Sequence, residues 1–314
     1  MLTPTLFMLG GLVLLASGAE GLVRGSSALA LRLGVTPLVV GLTVVAFGTG
    51  SPELFVSVEA AYRGEGGIAL GNVVGSNISN VALILGLSAL ARPMKVRSEL
   101  IRREVPLMIA VTLLLCLLLL DGILSRVEGL ILAVGSVAYT AFAYLAARRD
   151  RSKAVAEEFE EALTESKRAA WVDVALVIAG FVLLLIGARL LLAGATVVAA
   201  QFGVSQVVIG LTIVAIGTSL PELATSFVAS LRGEADVAFG NAIGSNILNI
   251  LLVLGVAALI RPVEAQGLRP LDLGVLVASA MLVLPLMWRG WVLNRWEGAL
   301  LLAGYAAYLY SVVS

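Results

Sequence analysis

The chain has 314 residues, 60% of them hydrophobic and 13% charged, with a mean hydropathy of +1.03. Soluble domains carry about 25% charged residues, so an ordinary water-soluble enzyme is excluded. Lys+Arg and Asp+Glu number 21 each, leaving no net field for nucleic acid; with no histidine and one cysteine (Cys116), an imidazole relay, an intrachain disulfide and a thiolate metal cluster are excluded as well.

Residues 2–19 are apolar, and Ala16–Ser17–Gly18–Ala19 faintly resembles a cleavage site. No Lys or Arg precedes the stretch, and a signal peptide needs a positive leading region, so it reads as a first membrane helix. Apolar segments near the ~20 residues that cross a bilayer recur at 2–23, 37–61, 68–91, 104–120, 127–147, 171–199, 204–230, 236–260, 271–287 and 294–313. This pattern predicts an all-α integral membrane protein with ten transmembrane helices. Two five-helix halves, 1–147 and 171–314, flank a charged linker, 148–170. Arg148, Arg149, Arg151, Lys153, Lys167 and Arg168 mark the linker as cytoplasmic, which places both termini outside. Sixteen of the 21 cations then fall on the linker side and four on the other, and the flipped orientation reverses that bias.

The halves repeat one another. Shifted by 169 residues, 34–93 overlays 203–262 without a gap, with 33 of the 60 pairs identical. Both copies read G-L-T-x-V-A-x-G-T-x-x-P-E-L and then G-N-x-x-G-S-N-I-x-N. An offset of five helices is odd, so the copies run oppositely through the membrane. Inverted repeats are how many secondary transporters build two access routes to one midplane site.

Glu53 and Glu222 carry the chemistry. Each lies in an otherwise apolar helix, where a charge at the bilayer centre costs at least ~2.5 kcal/mol. Each follows a proline (Pro52, Pro221), which removes a backbone hydrogen bond, kinks the helix and leaves carbonyl oxygens facing inward. Thr49 shares a face with Glu53, and Asn72, Ser76 and Asn80 form a stripe at four-residue steps on the next helix. A hairpin turn within 62–67 is expected to set Glu53 level with Asn80. The second copy supplies Thr218, Ser219, Glu222, Asn241, Ser245 and Asn249. A set of oxygens with no nitrogen or sulfur suits a hard cation: Ca²⁺ more than small octahedral Mg²⁺, or Na⁺ ions at adjacent positions. Gly71–Gly75 and Gly240–Gly244 read as packing spacings, and Thr43 and Thr212 as bonded within their own helices. Arg189 is expected to pair with Glu20, its counterpart by the same shift.

The two G-T-x-x-P-E-L and G-N-x-x-G-S-N-I-x-N pairs resemble the α-repeats of the cation/calcium exchanger superfamily, in particular its prokaryotic sodium/calcium exchanger branch. The resemblance implies a secondary active antiporter that exchanges Na⁺ for Ca²⁺ by alternating access, not an enzyme. These ions would be cargo, with no cofactor, no nucleic-acid partner and a functional monomer in the cell membrane. It implies Ca²⁺ ligands at Glu53, Glu222, Thr49 and Thr218. It implies Na⁺ sites at Ser219, Ser76, Ser245 and the carbonyls of Ala46 and Ala215, with Asn80 and Asn249 at the central polar position. It also implies that the first and sixth helices slide over the other eight. Two positions depart from the family pattern. Gly50 stands where the second copy has Ser219, which removes one Na⁺ ligand, and Ser51 lies ~100° around the helix from it. Asn249 stands where several relatives carry Asp, which leaves two core carboxylates and argues against K⁺ co-transport. Loss of the hydroxyl at 50 motivates the alternative of an H⁺-coupled exchanger for Ca²⁺ or another divalent cation.

Overall fold

The computed structural model describes residues 2–33, 40–149, 169–202, 215–288 and 290–313. The charged linker and Thr212 lie outside the described residues. Helix is found at each of the ten expected places: α1 (Leu2–Leu33), α2 (Gly41–Thr49 and Ser51–Arg63), α3 (Gly66–Ala91), α4 (Ser98–Leu118), α5 (Arg126–Arg149), α6 (Ala170–Gln201), α7 (Ala215–Thr218 and Leu220–Arg232), α8 (Ala235–Ile260), α9 (Pro270–Met287) and α10 (Arg295–Val313). Among these residues, six helices are long and apolar enough to span a bilayer unaided, and the bent pair in α2 makes a seventh. Of the rest, α4 opens on a charged turn (Glu99, Arg102, Arg103, Glu104), α10 carries three tyrosines, and the first described piece of α7 has four residues.

Two helices outrun their expected ends. α1 continues ten residues past 23 because its arginines find partners along the helix: Arg24 bonds Glu20 at 2.6 Å, and Arg32 bonds the buried Asp173 of α6 at 2.6 Å. α4 begins six residues before 104, where Arg103 bonds Glu104 and Tyr139 of α5 donates to the same carboxylate.

An internal two-fold relates the halves, and its register is the 169-residue shift. Two short antiparallel bridges tie loops across the axis: β1 (Met94–Lys95) with β4 (Val292–Leu293), and β2 (Ile123–Leu124) with β3 (Val263–Glu264). Met94↔Leu293 in the first becomes Val263↔Leu124 in the second. On the axis, the Asn77 amide donates to the Asn246 carbonyl at 3.0 Å and the Asn246 amide returns a bond to the Asn77 carbonyl at 3.2 Å.

α1 and α6 share a seam of small residues. Gly11, Gly18 and Gly25 on one helix and Gly180, Gly187 and Gly194 on the other recur every seven positions. A Cβ added at Gly18 or at Gly180 would lie 2.8 Å from the other's carbonyl oxygen, and Gly11 and Gly187 clash in the same way. Small residues let backbones touch where lipid offers no hydrophobic drive. Gly180→Val is therefore expected to lower stability by about 1–3 kcal/mol through overpacking, read as a drop in thermal unfolding temperature in detergent. Gly71→Ala is the contrast, since nothing lies within 4 Å of an added Cβ there.

The expected Glu20–Arg189 pair is not formed. Glu20 bonds Arg24 in its own helix and Arg232 of α7 at 3.1 Å, while Arg189 is exposed. The reason lies in packing: α1 runs along Leu220–Arg232, which brings Glu20 to that helix end.

Candidate cation site

The site begins at two helix breaks. Pro52 has no N–H, and the chain at Gly50 leaves helical geometry (φ −77°, ψ 3°), so the two pieces of α2 meet at 51°. Ser219 makes the same break in α7 (φ −86°, ψ 8°) ahead of Pro221. Each break starts a new helix with the glutamate in its first turn, Glu53 or Glu222, both buried. The proline does not free the Ala46 carbonyl, which still accepts the Gly50 N–H at 3.0 Å. The Ser219 N–H closes on Ile216 instead, at 3.1 Å; Ala215 opens the described part of α7 one residue earlier.

Glu53 is held by hydroxyls from both halves. Its Oε1 accepts from Ser219 Oγ at 3.1 Å and from Ser76 Oγ at 3.3 Å, and the two serines lie 3.1 Å apart. The carboxylate is thus level with Ser76 rather than with Asn80, because the hairpin turns at Gly64–Glu65, within the expected range but ahead of the midpoint between Glu53 and Asn80. Asn72 braces the bend, donating to the Glu53 carbonyl at 3.2 Å and to Ser57 Oγ at 2.9 Å. Asn241 repeats both contacts with Glu222 and Ser226 at 3.3 and 2.9 Å. The threonines cross the axis: Thr49 donates to Asn241 Oδ1 at 3.1 Å, and Thr218 faces Asn72 Oδ1 at 3.5 Å. Thr49 also lies beside Glu222 and Thr218 beside Glu53, and the two acids are close enough to feel each other's charge.

The central asparagines sit one step away on the axis. Asn80 donates to Asn246 Oδ1 and Asn249 to Asn77 Oδ1, both at 3.0 Å. At Asn80 and Asn249 the helices also widen into π-helical turns, 80–85 and 249–254. Such turns are frequent at functional sites, and a third occupies Gly41–Val45. Sequence reasoning missed these turns, the serines Ser57 and Ser226, and the bridging pair Asn77–Asn246. Asn77 and Asn246 were visible in the G-S-N-I-x-N motif, but they lie ~100° around the helix from the Ser76 stripe and face the other half.

The assembled polar groups are oxygens and amides. Among the described residues no cation pairs with Glu53 or Glu222, and no cluster of three or more His, Cys, Asp or Glu side chains forms. Glu53 Oε2, both Glu222 oxygens, Ser245 Oγ and Asn80 Oδ1 are buried without a hydrogen-bond partner. Buried polar atoms are ordinarily satisfied, so a group of orphaned oxygens around two acids marks a place for a cation or water.

A cavity opens toward the site from one side. Its volume is about 670 Å³, and it reaches Asn72, Ser76 and Thr218 past Gly67, Gly71 and Gly75, with Arg269, Asp272 and Tyr308 among its outer walls. The counterparts Asn241 and Ser245 are fully buried. Helix packing accounts for the difference: α1 covers Leu220–Arg232, whereas α6 makes no comparable contact with Ser51–Arg63 among the described residues.

Comparison with known proteins follows the same lines. The family model described as sodium/calcium exchanger protein matches residues 3–145 and 172–313. CaxA of Alkalimonas amylolytica is 41% identical over all of both chains, and the inner membrane protein YrbG of Escherichia coli K12 is 39% identical over 98% of this chain and 96% of its own. The sodium/calcium exchanger MaX1 of Methanosarcina acetivorans is 32% identical over 97% of each. Among solved structures, the sodium-calcium exchanger NCX_Mj soaked without Na⁺ and Ca²⁺ superposes with a TM-score of 0.85, 32% identity and 99% of each chain covered.

Proposed function

This chain belongs to the sodium/calcium exchanger family of multi-pass membrane cation exchangers, and on that premise we propose that it exchanges Na⁺ for Ca²⁺ at a single site between Glu53 and Glu222. The observation that carries this reading is the pair of buried acids, one from each inverted half, with orphaned oxygens and no counter-cation among the described residues. Two carboxylates neutralise one divalent ion, and the same oxygens serve monovalent ions at adjacent positions. Thr49, Thr218, Ser76, Ser219, Ser245, the carbonyls of Ala46 and Ala215 and the amide oxygens of Asn80 and Asn249 complete the proposed ligand set. The cavity beside Ser76 and Thr218 gives ions entry from one side. By the Lys/Arg bias that side is extracytoplasmic.

Proteoliposomes test the exchange. Ca²⁺ uptake is expected under an outward Na⁺ gradient and should collapse when Na⁺ is equal on both sides. A second reading, H⁺-coupled exchange, is favoured by one observation: Gly50 stands beside Glu222 where Ser219 bonds Glu53 in the other half, so this acid has one hydroxyl fewer to help hold Na⁺. Uptake that ignores Na⁺ and follows an imposed pH gradient would select it.

A further inference from the structure

The two halves of the site are unequal at one position. In one half, Ser219 Oγ joins Ser76 Oγ on Glu53 Oε1, so carboxylate and hydroxyls form a closed set. The two-fold places Gly50 at the equivalent point beside Glu222, and there both carboxylate oxygens and Ser245 Oγ are buried without partners. A Cβ built on Gly50 would lie 3.7 Å from Glu222 Oε1, 3.7 Å from Asn249 Oδ1 and 3.0 Å from the Ala46 carbonyl. Side-chain space at residue 50 is therefore walled by oxygens. A hydroxyl carried there would come within hydrogen-bonding distance of Glu222, since a C–O bond spans ~1.4 Å of the gap. Ser51 does not supply it: its Oγ turns back to the Phe47 carbonyl at 3.0 Å.

This inference rests on the exchange reading and adds which ion each half accepts. We propose that Gly50 sets the monovalent-cation selectivity of the Glu222 half. The Ser219 half takes a small cation directly on protein oxygens. The Gly50 half takes its cation together with a water molecule standing where a side-chain hydroxyl would be. Glu222, Ser245, Asn249 and the Ala46 carbonyl offer that water and its ion the several polar partners that a buried water requires. A water can shift to suit the ion where a fixed hydroxyl cannot, so this half discriminates weakly between Na⁺ and larger K⁺.

The test compares the wild-type chain with Gly50→Ser and Gly50→Ala in proteoliposomes, reading Ca²⁺ flux against graded Na⁺ or K⁺. Gly50→Ser is expected to lower the half-saturating Na⁺ concentration at least threefold and to sharpen preference for Na⁺ over K⁺. Gly50→Ala fills the space without an oxygen and should raise half-saturating Na⁺ by a similar factor. Opposite shifts separate the added oxygen from added bulk, and thermal unfolding of each variant controls for folding. Three proteins alike in Na⁺ dependence and Na⁺/K⁺ preference would overturn the inference while leaving Na⁺/Ca²⁺ exchange standing. A wild-type flux indifferent to Na⁺ would sink the exchange reading itself, and this inference with it.

Discussion

Glu222→Gln and Glu53→Gln are each expected to reduce Ca²⁺ exchange at least a hundredfold while leaving the ion-free protein as stable as before, or more so. Glutamine keeps the volume and one carbonyl oxygen, so the packing around Asn72 and Asn241 survives. What goes is one of the two charges that offset a divalent ion stripped of its water. A hundredfold loss corresponds to about 2.7 kcal/mol, modest beside the cost of burying an under-compensated charge. Stability should move the other way, because a buried carboxylate without a cation beside it strains the ion-free fold. Ca²⁺ flux in proteoliposomes and unfolding temperature with and without Ca²⁺ check both halves of this expectation. In the wild-type chain Ca²⁺ should raise the unfolding temperature by mass action, and in either variant that rise should shrink. A variant that transports at the wild-type rate would remove the dicarboxylate from the mechanism.

The next largest effect is expected at Asn246. Its amide donates to the Asn77 carbonyl and lies 3.4 Å from Met108 Sδ, its Oδ1 accepts from Asn80, and its backbone carbonyl accepts from Asn77. Asn246→Leu would leave the Asn80 amide unpaired at the centre of the molecule and take from the Asn77 carbonyl its cross-axis donor, leaving it the Asn80 backbone N–H. The unsatisfied amide costs about 1–3 kcal/mol and the lost bond about 1 kcal/mol, so a total of about 2–4 kcal/mol is expected. Thermal unfolding in detergent measures it. Asn77→Leu removes the mirror-related set, its own amide's bond to the Asn246 carbonyl and the Oδ1 that accepts from Asn249. Because the two side chains touch, the double variant should depart from the sum of the singles by more than about 0.5 kcal/mol. Additivity within 0.5 kcal/mol would mean that the two amides do not act as one bridge.

Much of this was legible in the sequence, for identifiable reasons. Apolar runs near bilayer length marked where helix is found among the described residues, six or seven of those helices being long and apolar enough to span a bilayer. The 169-residue repeat with its odd helix offset foretold the two-fold, and Glu53 and Glu222 stood out because an acid in an apolar helix demands a reason. The Gly50 departure was visible by comparing the copies, but its consequence for Glu222 needed the oxygens around it. What escaped depended on rotation and register. Asn77 and Asn246 lie a single residue from the counted stripe. The hairpin turn fell early enough to bring Ser76 rather than Asn80 to Glu53. The π-helical turns at Asn80 and Asn249 follow from no local propensity, since runs of Val, Ala, Leu and Ile fit an α-helix equally well. Glu20 was assigned by repeat symmetry, and the structure breaks that symmetry exactly where α1 and α6 pack differently.

That broken symmetry has an energetic consequence. At one rim Glu20 of α1 meets Arg232 of α7, whereas the two-fold mates of these residues are Arg189 and Arg63, both cationic. Reversing the arrangement therefore trades an attraction for a repulsion, eased where Arg63 leans on Glu59. A half-exposed pair contributes roughly 0.2–1 kcal/mol, enough to tilt a resting population by up to about fivefold. The tilt is electrostatic, so added salt should flatten it.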